Sequence, residues 1–68
     1  MDGNLEYYKV FYYVAKEKNL TKAAELLSIS QPAVSQSMKL LEANVGAKLF
    51  LRTARGVRLT PAGEILYD

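Results

Sequence analysis

The sequence predicts a mainly α fold of the winged helix-turn-helix type, with three helices, a two-stranded β wing and the start of a further helix. Apolar residues recur at spacings of three and four through much of the 68-residue chain, a period typical of amphipathic helices. A Ser-Ile-Ser turn separates two of the helical segments, and two short β-prone runs flank a glycine-containing turn at residues 54–56. A chain of this length has room for one core only.

The first helix is predicted over residues 5–18. Its large apolar residues alternate with charged ones, so one face is expected to be buried. That predicted inward face comprises Leu5, Tyr8, Phe11, Tyr12, Val14 and Ala15. Tyr7 and Tyr13 fall off this face and are expected to pack at the edge of the helix.

A second, short helix and a turn follow. Thr21 precedes an alanine- and leucine-rich segment, and its hydroxyl is suited to capping the first free backbone N–H groups. Ala23 and Ala24 give this helix a thin face, which another helix can cross closely as a helix-turn-helix pair requires. Ile29 is expected to fill the corner of the turn.

The third helix is predicted over residues 31–44, with Ser30 or Gln31 as its cap and Pro32 in its first turn, where a missing N–H costs little. At about 100° per residue, its predicted inward stripe comprises Val34, Met38, Leu41 and Val45. The opposite face is slim and polar, and it holds Pro32, Ser35, Gln36, Lys39 and Ala43. Short hydroxyl and amide side chains suit a close approach to base edges and phosphates. Leu40 lies off the core stripe and is expected at an edge.

The wing is predicted over residues 49–60, after a left-handed helix end at Gly46. Leu49, Val57 and Leu59 are expected to face inward. Residues 48–60 hold four basic residues and no acidic one, which is typical of a surface that touches phosphate. Thr60 and Pro61 then begin a last helix, whose uncovered apolar residues lead us to expect that the chain was cut from a longer protein.

Composition excludes most chemistry. The chain has no Cys and no His, which removes thiol nucleophiles, the usual neutral-pH base and zinc sites of the Cys or His type. Its apolar runs are far shorter than the roughly 18 residues needed to cross a bilayer, and its N-terminus lacks a signal sequence. We therefore expect a cytoplasmic binding module with no membrane partner, and not an enzyme.

Three motifs in this order and spacing make the chain resemble the LysR-type transcriptional regulators. They are Ser30-Gln31-Pro32-Ala33-Val34-Ser35, Leu49-Phe50-Leu51-Arg52 and Leu59-Thr60-Pro61-Ala62-Gly63. The resemblance covers nearly the whole chain. The family often has arginine where Gln36 stands, so the base read at that position is left open.

The resemblance implies the N-terminal DNA-binding domain of a bacterial regulator in residues 1–60, and the start of a truncated linker or dimerisation helix in residues 61–68. A small-molecule effector would bind the absent C-terminal domain, and this domain would need no cofactor or metal. The implied partners are a double-stranded DNA operator with an interrupted palindrome, further copies in a homodimer or tetramer, and RNA polymerase.

The resemblance also assigns residues to DNA. Gln31, Pro32, Ser35 and Gln36 match the positions that enter the major groove. Glutamine can pair with adenine, serine can reach a base or a phosphate, and proline can touch a thymine methyl. The alternative for Gln31 and Ser35 is capping and contact with solvent.

The expected contacts to the DNA backbone or minor groove are Thr21, Lys39, Arg52, Arg55 and Arg58. Thr21 can combine capping with a phosphate contact, and Arg55 at the wing tip can enter a narrow A·T-rich minor groove. Arg52 either contacts DNA or pairs with a buried Glu42. Arg58 either contacts phosphate or is solvated.

Two rival functions remain at this point. A winged-helix protein-interaction module has the same fold, but its binding would lack the steep salt dependence of duplex binding. An enzyme is the weaker rival, because Ser35 has only Lys39 as a conceivable activator and nothing orients it.

Overall fold

A computed structural model describes residues 3–68, with side chains described from Glu6 onward. Its elements in chain order are α1 (Gly3–Glu17), α2 (Leu20–Leu27), α3 (Gln31–Val45), β1 (Phe50–Thr53), β2 (Gly56–Leu59) and α4 (Pro61–Tyr67). The two strands pair antiparallel, with Phe50 opposite Leu59 and Thr53 opposite Gly56. The predicted winged helix-turn-helix order is confirmed.

One core lies where α1, α2 and α3 cross, and the wing closes its side. The most buried large side chains are those of Met38, Leu41, Leu49, Val14 and Val34. Ala23 is fully buried and Ala24 nearly so, so the thin face of α2 permits the close helix crossing that the sequence predicts. The inward placement of Val34, Met38 and Leu41 on α3 is confirmed.

The buried face of α1 differs from the predicted one. Phe11, Val14 and Ala15 are buried as predicted, and Tyr7 and Tyr13 pack at the edge of the core as expected. Tyr8 and Tyr12, however, are exposed, and Val10 is buried in their place. The helix is rotated relative to the prediction, so that its residues without a polar end face inward. The tyrosines, whose hydroxyls need a polar partner when buried, stay at the surface or the rim. The predicted burial of Leu5 falls on a side chain outside those described.

The helix caps correct one prediction and confirm three. Asn19, not Thr21, caps α2, because its Oδ1 accepts a hydrogen bond from the Lys22 backbone N–H at 2.9 Å. Ser30 caps α3, and Thr60 caps α4 with Pro61 in the first turn, as expected. The helix end at Gly46 has the left-handed φ of +75° that the sequence predicts.

Two apolar residues predicted to face inward are exposed. The Ile29 side chain does not fill the corner between α2 and α3, because the corner is closed by backbone. Ser28 adopts a left-handed φ of 58°, and the Ile29 N–H donates to the Ala24 carbonyl at 3.1 Å, a Schellman-type end. Val45 is the last residue of α3 and lies beyond the part of the helix that the core covers.

Backbone contacts fix the wing on the helices. The Val57 N–H donates to the Lys18 carbonyl at 3.1 Å, in the loop between α1 and α2. Gly56, beside it, has a φ of +133°, and a Cβ there would lie 2.5 Å from the same carbonyl oxygen. At the other end of the wing, the Thr60 N–H donates to the Leu49 carbonyl at 3.0 Å. The hairpin is therefore held just after its turn and at its base.

Within the part of the chain that the structure describes, no helix is long and apolar enough to cross a membrane.

Candidate nucleic-acid interface

The first two turns of α3 present the predicted base-reading side chains at the surface. Gln31, Pro32 and Gln36 are exposed, and Ser35 is half-buried. Ser30 takes the capping role, since its Oγ accepts from the Ala33 N–H at 3.2 Å. Ser30, and not Gln31, is therefore the cap of α3, whereas contact with solvent stays the alternative to a base contact for Gln31 and Ser35.

Arg52 joins the wing to this helix. Its Nη2 donates a hydrogen bond to Ser35 Oγ at 2.6 Å. Arg52 follows buried Phe50 by two residues and thus lies on the same face of the hairpin, toward α3. The alternative pairing of Arg52 with Glu42 is not formed: among the described residues, the ion pair of Glu42 is with Lys48.

Glu42 anchors the base of the wing. Its Oε2 accepts from the backbone N–H groups of Leu49 at 2.8 Å and Phe50 at 3.4 Å. Its Oε1 lies 3.8 Å from Lys48 Nζ. The Glu42 side chain is 13% exposed and the Lys48 side chain 71% exposed. The carboxylate thus satisfies two backbone N–H groups at the start of β1, while Lys48 adds a weak, solvent-screened attraction.

The turn of the hairpin holds Arg55. Its backbone N–H donates to Thr53 Oγ1 at 3.2 Å, and its side chain is exposed. One hollow of the surface is bordered by the start of α2, the start of α3 and the wing tip. The predicted DNA-contacting residues along that hollow are Thr21, Gln31, Arg52 and Arg55.

Arg58 and Lys39 lie apart from that hollow. Arg58 pairs with Leu51 across the hairpin, on the face opposite to Arg52, because successive residues of a strand alternate in direction. It lines a different hollow, with Lys18 and Glu64. Lys39 is exposed one turn beyond Ser35 and borders the groove between α3 and β1.

The structure adds residues that sequence reasoning missed. Asn19 lines the same hollow as Thr21. Asparagine just before Leu20 could have been recognised as a helix N-cap in the sequence. The sequence near Glu42 gives no sign that it anchors the wing, because its partner N–H group at Leu49 comes seven residues later, after an intervening loop. Among the described residues, no group of acidic side chains is placed to hold a metal ion.

The sequence profile described as "Bacterial regulatory helix-turn-helix protein, lysR family" matches residues 5–64. The chain belongs to this LysR family. The HTH-type transcriptional regulator BudR of Klebsiella aerogenes is 52% identical over 64 residues, which cover 94% of this chain and 45% of BudR. The chain spans between 22% and 45% of the length of the first curated relatives it matches.

Two solved LysR-family structures are similar to this fold. The crystal structure of a CbnR_DBD–DNA complex has a TM-score of 0.90 and 37% identity, over 98% of this chain and 75% of that one. The BenM_DBD/catB site 1 DNA complex has a TM-score of 0.88 and 37% identity, over 98% and 73%. The chain is therefore a winged helix-turn-helix DNA-binding domain of a LysR-type transcriptional regulator, and its curated relatives are named as regulators.

Proposed function

We propose that this LysR-family domain recognises a specific double-stranded operator, with α3 in the major groove and the wing against the backbone and the minor groove. The observation that carries the proposal is the shared hollow. Thr21 at the start of α2, Gln31 at the start of α3 and Arg55 at the wing tip border one surface. A helix and a cationic hairpin tip on one surface suit adjacent grooves of a duplex.

The proposal gives each of these side chains a role. Gln31, Pro32, Ser35 and Gln36 face base edges from the first two turns of α3. Lys39, one turn further, meets phosphate. Arg55, exposed in the turn of the hairpin, enters the minor groove, and Arg58 on the outer face contacts phosphate only if the duplex curves toward it.

Further expectations concern the whole protein. We place a small-molecule effector site outside residues 1–68, with this domain paired in a homodimer or tetramer on an interrupted palindrome and in reach of RNA polymerase. Residence in the cytoplasm follows from an operator on the bacterial chromosome. Catalysis has no part in the proposal, because duplex recognition requires only positioned hydrogen bonds and charge.

The test begins with duplexes selected from a random pool by the 68-residue chain. Affinity for the selected duplex, followed by fluorescence anisotropy, should fall with log salt at a slope of about −0.9 for each phosphate neutralised. Q31A and Q36A should each lose about 1–3 kcal/mol at particular base pairs if the contact is bidentate, and K39A should weaken selected and scrambled duplexes alike.

Two results would contradict the proposal. Equal losses on selected and scrambled duplexes for both glutamine variants would remove direct readout by α3. Binding to a partner with no salt dependence, together with no duplex selection, would favour a protein-interaction module instead.

A further inference from the structure

The hydroxyl of Ser35 is engaged by the wing before any DNA is bound. Arg52 Nη2 lies 2.6 Å from Ser35 Oγ, a short distance that is typical of a charge-assisted hydrogen bond. Among the described residues, Arg52 is the only hydrogen-bond partner of the Ser35 side chain. In the proposed function Ser35 lies on the helix that enters the major groove. Its hydrogen bond with Arg52 therefore affects which hydrogen bond the Ser35 hydroxyl can make with a base.

The chemistry of this contact is directional. A guanidinium group has five N–H donors and no acceptor, whereas a hydroxyl has one hydrogen to donate and lone pairs to accept with. Ser35 Oγ must therefore be the acceptor toward Arg52. Its hydrogen points to some other group, and the positive charge beside the oxygen makes that hydrogen a better donor and disfavours a further approach by an N–H group.

The wing cannot swing freely away from Ser35. Glu42 lies seven residues after Ser35, on the same face of α3 and about 10 Å along the helix axis. Its carboxylate holds the start of β1 through the N–H groups of Leu49 and Phe50. Arg52 leaves a strand whose base is fixed to the same helix, so its guanidinium reaches Ser35 from a defined position.

We propose that Arg52 is a positioning residue that fixes Ser35 as a hydrogen-bond donor toward the DNA. Ser35 would then select a base that offers an acceptor in the major groove, which is guanine, adenine or thymine. Cytosine presents only its N4 amino donor there, so it is the base excluded at this position. The inference rests on the proposed placement of α3 in the major groove.

The test compares selection profiles of four chains. S35A first identifies the base pair that Ser35 reads, as the position at which the profile relaxes. At that pair the unmodified chain should disfavour cytosine on the contacted strand by about tenfold, because a donor is left unpaired. R52M should reduce this factor to less than twofold, and R52K, which keeps a cationic donor, should restore part of it.

The matched control is R58M. It also removes one positive charge from the wing, but from the opposite face and without a contact to Ser35. Loss of charge alone lowers affinity for all duplexes and leaves the base profile unchanged, so R58M should keep the exclusion of cytosine. In the S35A background, R52M should produce no further change in the profile. Circular dichroism melts confirm that each variant is folded.

Each remaining outcome overturns one of the two proposals. Retention of the cytosine exclusion in folded R52M, or its loss in R58M, would show that Arg52 does not act through Ser35. A base profile of S35A that is unchanged at every position would also overturn the inference. Q31A and Q36A would then still test whether α3 reads bases in the major groove. If the unmodified chain selects no sequence at all, the proposed function itself fails.

Discussion

Among the described residues, one side-chain oxygen caps the N-terminus of each of α2, α3 and α4. Asn19, Ser30 and Thr60 each accept a hydrogen bond from the backbone N–H three residues ahead, at 2.9, 3.2 and 3.0 Å. Each such bond satisfies a donor that the helix itself leaves without a partner. The Thr60 hydroxyl also donates to the Lys48 carbonyl at 2.7 Å, so one side chain both starts α4 and closes the loop before the wing.

Two neighbouring residues, Asn19 and Thr21, are both suited to cap α2. Both Asn19 and Thr21 are good capping residues, and Asn ranks only slightly above Thr, so propensity alone does not decide between them. Burial of Leu20 decides, because a helix that begins at Leu20 brings that side chain into the core. Thr21 is then exposed on the second helical position, and its hydroxyl is not used in the cap.

We expect N19A to affect stability and T21A to affect duplex binding. N19A should lower the free energy of unfolding by about 1 kcal/mol, the usual cost of a lost cap. T21A should leave that free energy within about 0.5 kcal/mol, as for an ordinary surface substitution, and should weaken duplex binding if Thr21 is the phosphate donor that we propose. Urea denaturation and duplex titration of both variants measure the two effects. A larger stability loss in T21A than in N19A would contradict the assigned cap.

Among the elements, the wing combines fixed ends with a projecting tip. Its base is bound to Glu42, and the Val57 N–H is bound to the Lys18 carbonyl. Arg55 lies at the turn between the strands, and its side chain is exposed. A rigid hairpin presents this side chain at a constant distance from α3, which limits the entropy lost when it enters a groove.

We expect R55A to lose affinity chiefly on duplexes with A·T-rich flanks. A narrow A·T-rich minor groove concentrates negative potential and attracts an inserted arginine. Replacing the flanks by G·C pairs should weaken the unmodified domain and hardly affect R55A, and the slope of log K against log salt should fall in magnitude by about 1. Titrations at two salt concentrations measure both.

Arg58 provides the comparison for that experiment. R58A removes the same charge from the outer face of the hairpin, so it should not change the preference for A·T-rich flanks. If R55A keeps the flank preference of the unmodified domain, Arg55 is a solvated turn residue and does not enter the minor groove.

The order of the elements follows from the sequence, whereas their rotation does not. Caps, prolines and Gly46 predict where α3 and α4 begin or end to within about one residue. The buried face of α1 cannot be predicted in the same way. When apolar residues are counted along the helix, tyrosine is included, but its hydroxyl favours a place at the surface. Tyr12 shows the result, since its ring lies at the surface 5.9 Å from that of Tyr67.

For the whole molecule, the direction in which the basic side chains of the wing point depends on the alternation of residues along the two strands. The four basic residues of 48–60 form one cluster in the sequence, but the structure divides them. Arg52 and Arg55 lie toward α3, Lys48 lies beside Glu42, and Arg58 lies on the outer face. Net charge along a chain predicts that a surface is basic, but strand alternation decides which part of it meets a ligand.

The outer surface of α4 determines what the 68-residue chain does alone. Ile65 is 79% exposed, and α4 spans only Pro61–Tyr67, about two turns. A helix this short offers far less than the roughly 1,000 Å² that a stable interface buries. That residues 61–68 belong to a linker and residues 1–60 to the domain stays a prediction.

We expect the 68-residue chain to sediment as a monomer at low micromolar concentration, with weak dimerisation only at higher concentration. I65S serves as the control, and it should leave the sedimentation coefficient at low micromolar concentration unchanged. Analytical ultracentrifugation over a concentration series measures this. A tight dimer of the unmodified chain, abolished by I65S, would show that α4 alone forms a sufficient interface.

The close approach of α4 to the base of the wing sets how much sequence variation this fold tolerates. Gly63 lies against the Leu49 carbonyl oxygen so closely that an added Cβ would overlap it. The obstacle is backbone and not a flexible side chain, so no rotamer relieves it. In a saturation library of this position, all nineteen alternatives carry the offending carbon, including alanine. Selection for folded chains should therefore leave glycine alone at position 63, while the neighbouring exposed position 64 accepts many residues.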